Sequence, residues 1–265
     1  MSYRILHVAA LAAVLMAATG CQILQKMGTA GMPSIKGSGP SKGEDRTVED
    51  FERIDIGGPF KVVVKVGPKA SLNVEAQENI LKAIRSEVKG GTLRVWTENS
   101  FESTRPLKLT ITTPMLTGMD GSGACIGDVE GVNSAKFALN LSGASRMHVK
   151  GVVKYFNLEA SGASEVVWDN LQAETVAVNG SGASTLLLSG SADSIDIDVS
   201  CACNLKGENF VVKDATVKGS GGCELSINAT ERIDGELSGG TSLRHTGKAQ
   251  ISVATSGGAS VSAKP

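Results

Sequence analysis

The chain of 265 residues is close to neutral, since 26 Lys and Arg residues stand against 27 Asp and Glu residues and the formal net charge is −1. Nucleic-acid phosphates require a basic surface, so this even balance argues against nucleic acid as a partner. Glycine is abundant at 32 residues, and only 4% of the residues are aromatic. This composition favours a narrow core of aliphatic side chains, in which we expect no room for aromatic rings.

The first residues have the features of a bacterial lipoprotein signal. Arg4 precedes an apolar stretch over residues 5–18, which is too short to span a membrane and is typical of a secretory signal peptide. Ala18-Thr19-Gly20-Cys21 resembles a lipobox, which implies a signal peptide over residues 1–20 and lipid attachment at Cys21. Buried acyl chains contribute about 0.8 kcal/mol per CH₂, so lipidation would anchor the chain firmly. An ordinary signal peptide with an incidental cysteine is the alternative.

Residues 22–43 are rich in Gly, Ser and Pro and have no periodicity. Such a composition predicts a flexible tether, so we assign residues 21–45 to the lipidated cysteine with its tether and residues 46–265 to one folded domain. Asp directly after the lipidated cysteine would favour retention at the inner membrane. Gln22 stands at this position instead, which favours anchoring at the outer membrane. We therefore expect the domain in the cell envelope, facing either the periplasm or the cell surface.

Residues 46–118 carry short apolar runs punctuated by Gly and Pro. Period-2 alternation predicts strands over residues 60–66, 72–76, 93–96 and 107–111. Apolar residues at helical spacing over residues 77–88 predict one or two helical turns. Because a stack of coils needs its open end covered, we interpret this region as a cap with irregular first coils, and a separate domain is the alternative.

From residue 119 to residue 263 the phrase Ser-Gly-Ala-Ser, or a close variant, recurs every 18–20 residues. The second position of successive copies is occupied by Gly123, Gly143, Gly162, Gly182, Cys201, Gly221, Gly239 and Gly257. Alternating apolar runs flank each copy, such as Val176 and Val178 before the fourth copy. A short fixed period with alternating strands predicts stacked coils, with the phrase at the corner of each coil. Leucine-rich repeats, propellers and trefoils fit this pattern poorly, because they need helical segments or longer modules.

Three further segments stand before the repeat in a fixed order: Arg46-Thr47-Val48-x-x-Phe51-x-x-Ile54, Gly58-Pro59-Phe60-Lys61-Val62 and Lys89-Gly90-Gly91-Thr92-Leu93. Together with the repeat they resemble the family called "putative auto-transporter adhesin, head GIN domain" over residues 46–263. The resemblance implies an all-β fold, a right-handed parallel β-helix in secreted or lipid-anchored bacterial proteins, with an adhesive role. We expect roughly eight or more coils of 18–20 residues and an irregular N-terminal cap.

Three cysteines share the last position of the corner phrase, namely Cys125, Cys203 and Cys223. Aligned residues of neighbouring coils lie about 4.8 Å apart, within reach of a disulfide, so Cys203 and Cys223 can form one. Cys201 competes for Cys223, and burial in place of serine is the alternative for the whole set. A metal site built on Cys201, Cys203 and Cys223 lacks an evident fourth ligand, so we expect no metal there.

The sequence offers few groups for catalysis. The histidines of the repeat, His148 and His245, lie about five coils apart and cannot cooperate. A polysaccharide-acting enzyme on this fold would need clustered carboxylates, and the candidates are Asp193, Asp196, Asp198, Asp214 and Glu224. The residues aligned with Asp196 and Asp198 are Ala177 and Asn179 in one neighbouring coil and Thr216 and Lys218 in the other. We therefore interpret these carboxylates as a solvated face.

Asn140, Asn157 and Asn179 predict a partial outward ladder of amides, which would suit a glycan. We accordingly expect a non-catalytic binding, adhesion or structural module without a cofactor. Its expected partners are the membrane, through the lipid anchor, and a glycan or an envelope protein. A polysaccharide-acting enzyme and a periplasmic lipoprotein for envelope maintenance are the alternatives.

Overall fold

The computed structural model describes residues 34–263, which form a β-solenoid of about seven turns. Strand accounts for 70% and helix for 2% of the structure, so the predicted all-β solenoid is confirmed, with about seven turns where roughly eight or more coils were expected. The first strands are β1 (Ile35–Lys36), β2 (Ser41–Arg46), β3 (Arg53–Gly57), β4 (Phe60–Val66), β5 (Ser71–Gln77), β6 (Ile84–Lys89), β7 (Thr92–Thr97), β8 (Phe101–Glu102), β9 (Leu107–Thr113) and β10 (Gly118–Ser122). The remaining strands are β11 (Ile126–Leu141), β12 (Arg146–Ala160), β13 (Glu165–Gly180), β14 (Thr185–Val199), β15 (Asn204–Gly219), β16 (Glu224–Leu237), β17 (Ser242–Thr246), β18 (Gln250–Thr255) and β19 (Ser260–Ala263).

Strands β11 to β16 each run through one complete coil and pair in parallel with the next coil. The register follows the sequence period, so apolar residues stack in columns such as Leu139, Leu158, Val178, Ile197 and Val217. Each of these coils is formed by one continuous, bent strand of 14 to 16 residues. The bends coincide with bulges, which turn a strand sharply while pairing continues on both sides.

Each corner is built from its Ser-Gly-Ala-Ser phrase. Gly162 has a φ of 73°, a left-handed conformation that glycine adopts without steric cost. The next amide, that of Ala163, donates to the carbonyl of Gly143 in the neighbouring coil at 2.7 Å. The last serine of the phrase points inward, and the buried hydroxyl of Ser164 donates to the carbonyl of Ser161 at 2.7 Å. A local hydrogen bond therefore satisfies the polar group that the corner buries.

Aromatic rings do occupy the core, so the expectation that they would not fit is wrong. Phe137, Phe156 and Trp168 are all at most 2% exposed. The ring centroids of Phe156 and Trp168 lie 4.4 Å apart at an interplanar angle of 66°, and Phe137 meets Trp168 edge-on at 5.7 Å. The rings fit because Phe137 and Phe156, stacked at 6.2 Å in one column, both pack edge to face against Trp168.

At the N-terminal end the spatial order of strands departs from chain order. The coil of β3 and β4 lies between β10 with β11 on one side and β7 with β9 on the other, all in parallel. Beyond β7 and β9 the pairing becomes antiparallel, since β6 pairs with β7, β5 with β9 and β2 with β5. These antiparallel strands cover that end of the stack.

The four strands predicted before the repeat are present as β4, β5, β7 and β9. The predicted helical segment is only partly helical. Helix α1 (Glu78–Leu81) is a single turn that buries Ile80 and Leu81, whereas Ile84 and Val88 lie in β6. Strand pairing with β7 overrides the helical spacing of these two residues.

Residues 34–45, which we assigned to the flexible tether, include two paired strands. Strand β1 pairs with β8, and β2 pairs with β5 along its whole length. Strand β2 escaped the sequence pattern because it is an edge strand whose side chains are mostly exposed, so no apolar alternation marks it. The folded region therefore begins before residue 46. The predicted signal peptide over residues 1–20, Cys21 and the first part of the tether lie outside the described residues.

Within residues 34–263 the one helix is a single turn, and none is long and apolar enough to cross a membrane.

Candidate functional site

The most extended feature of the surface is a column of polar side chains, which we call the polar ladder. Its members stand at equivalent outward positions of successive coils, just before the corner, and the backbone register aligns each with the next. In spatial order they are Asp55, Asp120, Asn140, Glu159, Asn179, Asp198, Lys218 and Glu236. Carboxylates and amides thus alternate over the middle coils, about 4.8 Å apart.

A groove runs between the ladder and the first serines of the corners. The residue between each ladder member and its serine points inward, so only backbone forms the floor at that position. The larger part of the groove has a volume of about 550 Å³ and extends from Asp55 to Asp198. A second part, of about 310 Å³, continues from Asp198 to Ser256. The groove is therefore long and open, and it repeats the same polar groups once per coil.

The two carboxylates at the Asp55 end of the ladder form ion pairs, whereas at the other end the cation Lys218 stands between Asp198 and Glu236. Arg94 Nε lies 3.1 Å from Asp55 Oδ2, and Arg53 Nη2 lies 3.0 Å from Asp120 Oδ2. Further along, Glu159 and Asp198 have no ion pair or hydrogen-bond partner among the described residues. The middle of the groove therefore presents unpaired negative charge to a ligand.

The amide of Asn140 bonds to one neighbour in the ladder, Asp120. Its Nδ2 donates to Asp120 Oδ1 at 2.5 Å. Its Oδ1 is buried and has no hydrogen-bond partner among the described residues. A buried acceptor without a donor costs free energy, so this oxygen destabilises the column locally.

The amide ladder predicted from the sequence needs one correction. Asn140 and Asn179 do share a column, but Glu159 lies between them. Asn157 belongs to another column, where it is aligned with Ala138 and Ala177. The prediction failed because Asn157 was aligned two residues out of register with the other two.

The sequence contained the signal for the full ladder. Each member from Asp120 onward stands two residues before the first serine of a corner phrase. Asp55 precedes the repeat and joins the column only because β3 pairs with β10. Its position could not be found by counting from the corners.

The carboxylates considered for catalysis do not converge. The predicted neighbours of Asp196 and Asp198 are confirmed by the register. Asp193 is bound by Lys213 at 2.7 Å, and Asp214 is aligned with Ser194. Across residues 34–263 no group of three His, Cys, Asp or Glu side chains could hold a metal ion.

The two histidines lie apart, as predicted. His148 Nε2 lies 2.7 Å from Asp169 Oδ2, and its Nδ1 lies 3.5 Å from Asp128. Both contacts bridge adjacent coils, so they stabilise the stack. His245 is aligned with Ile227 and Ala263 in β17, and its Nδ1 is buried without a partner among the described residues.

The corner cysteines occupy the positions of the inward serines. Cys125, Cys203 and Cys223 are at most 1% exposed, and Cys223 Sγ donates to the carbonyl of Ser220 as the serines do. Burial raises the pKa of the Cys125 thiol to about 12 and also raises the pKa of Cys203 and Cys223. A thiol with a raised pKa is a poor nucleophile, which disfavours a catalytic role. All four cysteines from Cys125 onward are free in the structure, and the Cys203–Cys223 disulfide stays a prediction.

Comparison with known families agrees with the resemblance noted in the sequence. The family described as "Putative auto-transporter adhesin, head GIN domain" matches residues 50–249, most of the described solenoid. The chain belongs to this family. Its description favours a surface or envelope role in adhesion over catalysis.

Several solved structures share the fold at low sequence identity. A putative lipid binding protein from Parabacteroides distasonis ATCC 8503 has a TM-score of 0.80 at 18% identity, over 88% of this chain and 100% of that chain. A putative adhesin from the same organism has a TM-score of 0.83 at 16% identity, over the same shares of the two chains. A putative adhesin from Parabacteroides merdae ATCC 43184 has a TM-score of 0.80 at 17% identity, over 88% of this chain and 99% of that chain. No curated protein matches this chain significantly.

Proposed function

We propose that this protein is a non-catalytic adhesion module of the bacterial cell envelope, which binds an extended glycan along the polar ladder and is held at the outer membrane by lipid on Cys21. The observation that carries the proposal is the groove itself. It presents equivalent polar groups at every coil over the span from Asp55 to Asp198. Such a surface gains affinity by many shallow contacts in register. Membership in a family described as adhesin heads supports the same role.

The spacing of the ladder favours a glycan over a peptide. Successive ladder residues repeat about every 4.8 Å. Successive sugars of a β-1,4-linked glycan are flipped, and its two-sugar repeat is close to the height of two coils, so sugars of one orientation would meet every second ladder residue. An extended peptide repeats its side chains on one face only every ~6.6 Å, so it would lose register within a few coils. The unpaired charges of Glu159 and Asp198 disfavour anionic glycans. The expected ligand is therefore a neutral or amino-substituted linear glycan.

The test measures binding of the full chain to β-1,4-linked oligosaccharides of increasing length by calorimetry. The probes are cello-oligosaccharides, chito-oligosaccharides and, as an anionic control, oligogalacturonates. Affinity should rise with length for the first two and be absent for the third. Binding of none of the neutral or amino-substituted probes would overturn the proposal, and so would their turnover by the protein.

Two aspartates of one coil provide a matched pair of variants. Asp198 belongs to the ladder, whereas Asp196 stands outside it on the same strand, between Ala177 and Thr216. A hydrogen bond to a charged group contributes about 1.5 kcal/mol, so Asp198→Asn should weaken binding about tenfold. Asp196→Asn should leave the dissociation constant unchanged. Equal losses in the two variants would place the ligand elsewhere.

Anchoring and orientation need separate measurements. Metabolic labelling with a clickable fatty acid should mark the wild-type chain and not Cys21→Ala, and equal labelling of both would overturn the lipid site. Protease treatment of intact cells, with lysed cells as a control, then distinguishes a surface-exposed domain from a periplasmic one. Digestion of the domain in intact cells would support adhesion to external surfaces. Protection of the domain until lysis would contradict adhesion to external surfaces and favour a partner within the cell envelope.

A further inference from the structure

The last coil that the structure describes has two strand edges without a partner among residues 34–263. Strand β18 pairs with β16 and β19 pairs with β17, and no described strand pairs with their outer sides. The amides of Ser256 and Ser260 donate back to Leu237 and Thr241 in the preceding coil. Because hydrogen-bonding direction alternates along a strand, intervening residues such as Val261 direct their amide and carbonyl groups outward.

This coil is also uncharged and incompletely buried. Residues 249–263 contain no Asp, Glu, Lys or Arg. Ile251, Val253 and Val261 pack against the core and yet stay only half-buried, because no strand within residues 34–263 covers their outer side. Exposed apolar side chains beside unpaired backbone groups form a surface that favours association.

The opposite end of the stack is built differently. Its outermost strand, β2, is antiparallel to its neighbour and carries Lys42, Glu44, Asp45 and Arg46. Charged residues on an edge strand oppose further pairing. One end of the solenoid therefore rejects strand addition, whereas the coil of β18 and β19 permits it.

We propose that the outer edge of β18 and β19 is covered by a second copy of this chain, so that two solenoids join end to end about a two-fold axis. A neutral edge meets its own copy without like-charge repulsion, whereas a head-to-tail contact would set it against the charged β2. A two-fold contact uses both neutral edges, so assembly stops at a dimer. The dimer carries two copies of the polar ladder, and its formation does not depend on what the ladder binds.

Lysine substitutions on the edge test this inference. Ser252→Lys/Ala254→Lys adds charge to the exposed side of β18, where two copies would approach each other. The fold should tolerate the change, because Lys218 already occupies the column of Ala254. Thr216→Lys is the matched control, since Thr216 shares the column of Ser252 but lies in an interior coil. Circular dichroism and the melting temperature verify that each variant folds.

Sedimentation velocity measures the mass of the assembly over a hundredfold range of concentration. The sample is the full chain, expressed in a bacterium and extracted in mild detergent. The wild type and Thr216→Lys should be dimers, and Ser252→Lys/Ala254→Lys should be a monomer. Ser262→Lys, on β19, should dissociate the dimer as well. A monomeric wild type, filaments longer than a dimer, or a dimer that survives both edge variants would each overturn the proposal.

Discussion

Replacement of one corner glycine tests the physical basis of the stack. At Gly162 the φ of 73° is left-handed, and a Cβ added there would lie 2.5 Å from the carbonyl oxygen of Gly143 in the adjacent coil. That same oxygen accepts the hydrogen bond from the amide of Ala163 at 2.7 Å. Gly162→Ala therefore cannot relax without moving two coils apart or losing this bond.

The expected loss of stability follows from three contributions. A left-handed conformation costs an L-residue about 1–2 kcal/mol, and loss of the hydrogen bond costs about 1 kcal/mol. The lower entropy of unfolded alanine returns about 0.5 kcal/mol. The net loss of about 2 kcal/mol should lower the melting temperature by about 4–8 °C for a domain of this size.

Gly222→Ala is the matched control in another corner. Gly222 stands at the third position of the phrase, where other corners carry Ala144, Ala163 and Ala183. An added Cβ there would lie 3.7 Å from the nearest atom, the carbonyl oxygen of Cys201, which is an ordinary contact. Melting followed by circular dichroism should find Gly222→Ala within ~2 °C of the wild type. The reasoning is refuted if Gly162→Ala has the same melting temperature as the wild type, or if both variants lower the melting temperature equally.

The cysteines provide the remaining predictions. Burial raises the pKa of Cys125 to about 12, so the thiol ionises at lower pH in the unfolded chain than in the folded one. In urea titrations with reductant, the free energy of unfolding should therefore fall as the pH rises above the unfolded pKa near 9, by up to ~1.4 kcal/mol per pH unit. Cys125→Ser should remove this part of the alkaline loss, and an unchanged pH dependence in that variant would contradict the assignment. Non-reducing peptide mapping of protein from the bacterial envelope should find Cys203 linked to Cys223. Reduction of this disulfide should lower the free energy of unfolding by about 3 kcal/mol for a loop of this length. Alkylation of both thiols without reductant would disprove the link. Cys201 occupies the glycine position of its corner with a φ of 69°. Cys201→Gly should therefore raise the free energy of unfolding by about 0.5–1 kcal/mol in urea. A destabilised variant would show that the Cys201 side chain contributes more than the left-handed backbone costs.

The period of the corner phrase was enough to predict the solenoid. A repeat of 18–20 residues with a left-handed glycine and alternating apolar neighbours closes one coil, and identical coils pair their backbones only by stacking. The same reasoning aligned Asp198 with Asn179 and Lys218, because register within the repeat is a matter of counting. Local pattern also predicted β4, β5, β7 and β9.

Only the tertiary structure decided what lies outside the repeat. Strand β3 inserts beside β10 across 60 residues of intervening chain, which places Asp55 in the polar ladder although no local pattern relates it to Asp120. Strand β2 pairs with β5 along its whole length, and its mostly exposed side chains carry no apolar alternation that would have predicted a strand. The aromatic rings fit because walls of different coils face one another. The amino-acid composition alone does not indicate which side chains meet in this way. The sequence by itself thus determines the coil, because its pairing is periodic, while the ends of the stack and the continuity of the groove depend on contacts between segments that share no period.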